Sequence, residues 1–350
     1  MGNKNNINNI NLINIEYINE ITKDCYTLNL CDNLFCVFNS IDNILNLIYL
    51  NNQTNIIISY NLKTNQKINE IRNPQGNLKG LKYHLDKINK RDLLMSISTD
   101  RKILIWDIKN FECVLKLKNL NKFDWNNSGC FLDNNNQIYI IQGSNSKESI
   151  KVFDLNGNKI KQIKENNSKK DAIIFIDIYK DNKNFNIYII IGYEGYVKSF
   201  DYNKSKLYFK YFKYHNIDLI NRDHGSVIVL NSKNKTILIE SFFSGYILLW
   251  DFHSGKNIKF INIYNNNINT INEDRSIYGI CLLNNNYLFV GCSDKSIKLV
   301  DLTSGNILKK IEGHNNEVIN VRTFFHPIYG KCLISVGFYE DQIKLWKIKD

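Results

Sequence analysis

The residues able to do chemistry are thinly spread along this chain. Six histidines stand at 84, 215, 224, 253, 314 and 326, and eight cysteines at 25, 31, 36, 113, 130, 281, 292 and 332. A zinc protease holds its metal on His-Glu-x-x-His, and no such motif occurs. A zinc ribbon or dithiol centre needs Cys-x-x-Cys, which is equally absent. There is no Gly-x-Gly-x-x-Gly, no Gly-Lys-Ser/Thr phosphate loop and no Gly-x-Ser-x-Gly elbow. The expectation is therefore a non-enzymatic chain with no cofactor and no metal. Asp107, Asp154, Asp201, Asp251 and Asp301 look like general acids one at a time. Their recurrence points instead to a structural role, since an active site needs one constellation rather than five copies.

Composition bounds the partners. The 350 residues are 43% hydrophobic and 23% charged, an ordinary balance for a chain that buries a core. The net charge of +11 suits nucleic acid or an anionic membrane surface. Yet the lysines are scattered among Asn and Ile, as AT-rich codon usage scatters them, and no block of five or six like charges exists. The opening MGNKNNINNI lacks the apolar core of a signal peptide, so reduced thiols and an intracellular site, cytoplasmic or nuclear, are expected. Gly2 is not followed by the Ser or Thr that myristoylation wants, because Asn6 stands there. Runs such as AIIFI and IYIII are too short to span a bilayer, so no membrane insertion is expected.

A repeat organises the rest. Tyr60, Trp106, Phe153, Phe200, Trp250, Val300 and Trp346 follow one another at spacings of 46, 47, 47, 50, 50 and 46. Three positions before each stands Ile57, Ile103, Ile150, Val197, Ile247, Ile297 or Ile343, and two positions after each an apolar residue. Alternation of this kind marks half-buried strands. A polar turn follows all but the last (LKTNQ, IKNFE, LNGNK, YNKSK, HSGKN, LTSGN), and another strand precedes each (from NLIYL to CLISVGF). Each repeat thus encodes about four short strands, the content of one propeller blade.

On these residues the chain resembles the WD-repeat family. Trp106-Asp107 and Trp250-Asp251 match its signature dipeptide, and Gly313-His314 matches its other signature pair. The resemblance covers residues 10–350 and implies an all-β fold, a single seven-bladed β-propeller, with residues 1–9 a disordered polar tail. The seventh repeat ends after its third strand. Residues 10–18, INLINIEYI, alternate well and are expected to complete the Trp346 blade and close the ring, since an open edge is a liability.

The resemblance also implies a buried network of His, Ser or Thr, acid and Trp within a blade. Here it is incomplete. Blade two offers Ser96, Asp100 and Trp106 without a clear His. The last blade offers His314, Glu340 and Trp346, with Val336 at the hydroxyl place and Ser335 one step away. Partner contacts are expected on the loops before the first strand and between the second and third strands of each blade. Candidates are Phe123 and Trp125, which either touch a partner or pack between blades, and Tyr193 and Tyr339, which either ring the channel mouth or pack on neighbouring turns. The stretch 207–215, LYFKYFKYH, has the aromatic and basic mixture of a nucleic-acid surface but falls where blade four needs its outer strand.

The function expected is a monomeric scaffold for protein or peptide partners in a multi-subunit complex. The alternatives are a ring binding RNA or an anionic surface through its charge, and a substrate adaptor of a ubiquitin ligase. For the last, Lys109 and His253 stand where the docking motif has Arg.

Overall fold

The computed structural model describes residues 13–22, 35–51, 54–72, 78–98, 100, 102–118, 128–144, 149–164, 173–193, 196–211, 224–232, 235–264, 275–340 and 342–349. All regular structure among them is β. Blade one holds β2 (Phe35–Asn39), β3 (Leu45–Asn51), β4 (Ile56–Asn61) and β5 (Gln66–Arg72). Blade two holds β6 (Leu78–Asp86), β7 (Arg91–Ser98), β8 (Lys102–Asp107) and β9 (Glu112–Lys118). Blade three holds β10 (Ser128–Asn134), β11 (Gln137–Ser144), β12 (Ser149–Asp154) and β13 (Lys159–Lys164). Blade four holds β14 (Ile173–Lys180), β15 (Ile187–Tyr193), β16 (Tyr196–Asp201) and β17 (Lys206–Tyr211). Blade five holds β18 (His224–Asn231), β19 (Thr236–Phe242), β20 (Tyr246–Asp251) and β21 (Asn257–Asn262). Blade six holds β22 (Ile277–Leu282), β23 (Tyr287–Cys292), β24 (Ile297–Asp301) and β25 (Ile307–Ile311). Blade seven joins β26 (Val318–His326), β27 (Gly330–Gly337) and β28 (Ile343–Lys349) to β1 (Asn14–Thr22).

Every blade is an antiparallel four-stranded sheet, and the seven make a β-propeller. The second and third strands are buried almost throughout, as in β3 and β15, because they are covered on both faces by neighbouring blades. The first strands ring the channel and approach one another closely. At Gly225 a Cβ would lie 2.1 Å from the Ile277 carbonyl oxygen of the next blade, so the site tolerates only a hydrogen.

The ring is closed by strand exchange. β1 pairs with β28 from Asn14 opposite Lys349 to Thr22 opposite Ile343, so the strand lies slightly C-terminal to the expected 10–18. Lys349 also bonds Glu16, and the Tyr17 ring packs edge-on against Trp346 at 5.3 Å. Residues 1–12, including the expected tail at 1–9, lie outside the described residues.

The β1–β28 pair copies the other blades beside the marker and adds a second slip, between Glu20 and Thr22, that they lack. In each outer strand pair the register slips by one residue next to the repeat's marker position. The residues left over are Ile68, Val114, Ile160, Tyr208, Ile258, Leu308 and, in β1, Ile18. A bulge adds local twist and blunts an exposed edge against pairing with a second chain. All seven bulged residues are apolar or aromatic, a repeat as regular as the Trp-Asp marker.

Candidate interaction surfaces

The Asp that follows five of the seven markers caps the turn between third and fourth strands. Asp107 Oδ1 accepts from the Lys109 amide at 3.0 Å, Asp154 from Asn158 at 2.7 Å, Asp201 from Lys204 at 2.9 Å, Asp251 from Ser254 at 2.9 Å and Asp301 from Thr303 at 2.7 Å. Asn61 does the same for Lys63 at 2.8 Å. These are Asx turns, and the carboxylates are consumed in them.

Blade seven holds a full polar relay. Trp346 Nε1 donates to Ser335 Oγ at 2.8 Å, and Ser335 meets His314 Nε2 at 2.7 Å. His314 Nδ1 faces Glu340 at 2.5 Å, and Glu340 also accepts from the Asn315 and Asn316 amides. Burial works against the charged carboxyl of Glu340. The His314 bond and charge, then the two amides, outweigh it and hold the group below its ordinary range.

The expected hydroxyl place at Val336 is off by one, and the register explains why. Ser335 lies opposite Lys344, two residues before Trp346, as Ser96 lies opposite Leu104, two before Trp106. The connection between those strands is one residue longer in blade seven, so sequence counting misses the match. In blade two Trp106 Nε1 donates to Ser96 Oγ at 2.9 Å. Asp100 stands apart from that pair and bonds Ser98 and Lys102. In blade five the same register position is Glu240, whose carboxylate takes the Trp250 indole N–H at 2.9 Å. Nothing in the motif pattern singled out Glu240.

The partner candidates separate. Tyr193 is 1% exposed, stacked on Tyr196 with ring centroids 5.0 Å apart and with the Lys198 ammonium 4.8 Å from its own ring. Tyr339 is half exposed, in a left-handed turn at φ 53°, against Phe338. Phe123 and Trp125 lie outside the described residues.

The channel wall encloses a cavity of about 470 Å³ between β6, β14, β18, β22 and β26. Lys82 reaches across from blade two to the Ile176 carbonyl of blade four and lies 3.7 Å from Asp177. Arg322 donates to Ile280 O at 3.3 Å, and Thr323 to Leu282 O at 2.9 Å. The inner strand of every blade is a sheet edge, so its carbonyls need donors, and these side chains supply them. Cys36, Cys130 and Cys281 also sit on inner strands, and burial pushes each thiol up to about 12. Thiols so raised stay protonated near neutrality and are poor nucleophiles.

One rim carries the turns between first and second strands. There Asp92 of blade two takes the Ile41 amide of blade one at 3.0 Å and the Tyr83 hydroxyl at 2.7 Å. His326 Nδ1 accepts from the Ile328 and Tyr329 amides, which leaves Nε2 to donate to Leu62 O of blade one at 3.2 Å. His253 lies 3.5 Å from Asp181 across the blade four to five junction. These bonds lock neighbouring blades at one level and make the rim a rigid platform.

Among the described residues no group of three or more His, Cys, Asp and Glu side chains is placed to hold a metal ion, and no helix is long and apolar enough to cross a membrane. No protein-family model matches this chain.

Proposed function

We propose that this chain is a WD-repeat propeller that works inside the cell as a non-catalytic platform, monomeric by itself, for protein or peptide partners in a multi-subunit complex. The observation that carries the reading is the rigid wheel itself: seven blades, each ending in two sets of short turns, locked together at one rim. Scaffolds of this kind hold variable turns at fixed positions, which suits recognition. Kinship with WD repeats is supported by the relay of Trp346, Ser335, His314 and Glu340 and by the capped Asp turns. The non-catalytic reading is supported by where the reactive groups go. The carboxylates after five of the seven markers cap turns, His314 and His326 are tied into the fold, and the inner-strand thiols are held protonated.

The test is purification of the tagged full chain at moderate salt, followed by mass spectrometry and sizing of the complex. A reproducible set of proteins in fixed stoichiometry, retained without nucleic acid, is the expected result. A chain that elutes alone, or that comes off heparin and RNA with steep salt dependence and no protein companions, replaces the scaffold with a polyanion-binding ring.

A further inference from the structure

The four most exposed large apolar side chains among the described residues all sit on one rim. They are Phe185 (85%), Phe325 (70%), Ile328 (62%) and Ile88 (57%). Each belongs to the hairpin between the first and second strands of its blade: Ile88 between β6 and β7, Phe185 between β14 and β15, and Phe325 and Ile328 at the β26–β27 tip. Ile44, in the same turn of blade one, continues the arc between blades seven and two. Folding does not require any of these side chains to project. Phe185 does so from a left-handed backbone, φ 56°, where a bulky residue is strained and Asn or Gly is at home.

The surrounding charge is mostly positive. Exposed Lys87 and Lys90 flank Ile88, exposed Lys180 and Lys183 precede Phe185, and Lys331 lies opposite Phe325 in the hairpin. The carboxylates in the first two turns are turned inward. Asp86 is buried against Arg91 and Asn89, and Asp181 is buried beside His253, taking the Lys183 amide. Asp42, in blade one, is the exposed acid of the arc.

The geometry points to this rim as the docking face for an anionic bilayer surface, with the four apolar tips dipping into the headgroup layer and the lysines pairing with acidic lipid. A folded protein partner needs a contiguous complementary patch of roughly 800 Å². Here the apolar groups are convex, spaced around the wheel and separated by lysines. A headgroup layer accommodates separate protrusions, and apolar burial combined with attraction to anionic lipid is how proteins rest on a membrane without spanning it. The face is the one opposite the loops that precede each blade, so a platform could hold a membrane on one side and proteins on the other.

The experiment is co-sedimentation of the full chain with vesicles of phosphatidylcholine alone or with about one-third phosphatidylserine, at low and high salt. Binding to the phosphatidylserine vesicles, weakened by salt, is expected. The double variant Phe185→Asn, Phe325→Ser should lower the partition at least about tenfold while its thermal midpoint stays unchanged, since both sites are solvent-facing. The triple variant Lys87→Ser, Lys90→Ser, Lys183→Ser should also lose binding. Three results overturn the inference: no binding to acidic vesicles at low salt, binding that the apolar variant leaves intact, or binding matched on neutral vesicles. The second would make charge alone the determinant, as for RNA.

Discussion

Blade seven and blade five carry a tryptophan at the same place on the third strand, yet they satisfy its indole N–H differently. In blade seven Trp346 bonds Ser335, which passes the chain on to His314 and Glu340. In blade five Trp250 bonds Glu240 directly. Blade two lies between the two designs, with Trp106 on Ser96. The same register position in blades four and six, where the marker is Phe200 or Val300, holds Ile191 or Val290. A buried N–H needs an acceptor, and where there is no N–H the place can be apolar. What recurs is the demand for an acceptor, not the residue that meets it.

Blade seven also differs in being assembled from both ends of the chain, and this sets the largest expected effect. Deleting residues 1–22 leaves β28 paired to β27 on one side only and exposes Trp346 and Ile348. The ladder bonds lost, at about 1 kcal/mol each, together with the apolar surface exposed, should exceed about 5 kcal/mol. Denaturant melts should show the whole ring losing cooperativity, because one open blade frees both of its neighbours. An unchanged midpoint would mean that β1 does not lock the wheel.

A smaller effect separates the networks. Ser335→Ala strands both the Trp346 N–H and His314 Nε2, and should cost about 2–4 kcal/mol. Ser96→Ala strands the Trp106 N–H and should cost about 1–2 kcal/mol. Equal losses in urea unfolding would show that the longer relay adds nothing to the single bond.

The smallest effect is acid sensitivity. Glu340 has a lowered folded pKa, so its contribution is fully present above its ordinary value of 4.5 and is lost as pH falls through the lower folded value. Denaturant midpoints should therefore fall as pH drops below about 5, by an amount that Glu340→Gln lacks. Parallel curves for the two proteins would detach Glu340 from the acid response.

Much of the wheel was legible from spacing. The marker positions from Tyr60 to Trp346 and the alternating apolar residues around them identify every third strand, and the need to cover β28 pointed to the N-terminal segment. The bulge residues, Ile18 to Leu308, were equally regular but lie in exposed outer strands, where Ile and Leu read as ordinary variation. Ser335 was displaced by one residue of loop, and Glu240 was invisible because an isolated Glu in an apolar strand has no motif. The rim tips carry no such signal: Ile88 and Phe185 are single apolar residues in Asn- and Lys-rich turns, and nothing in FFHPIYG marks Phe325 and Ile328 as the side chains that face out.

Hairpins are local: each blade brings together residues a few positions apart, so period-two patterning and turn chemistry in the chain itself determine strand count, strand order and the seven blades. Contacts between blades are different in kind. Lys82 meets Ile176 across 94 residues, and His326 meets Leu62 across 264. No local pattern encodes such distances. Which donors reach the channel carbonyls, which carboxylates turn inward and which apolar tips share a rim were decided only when the blades closed on one another.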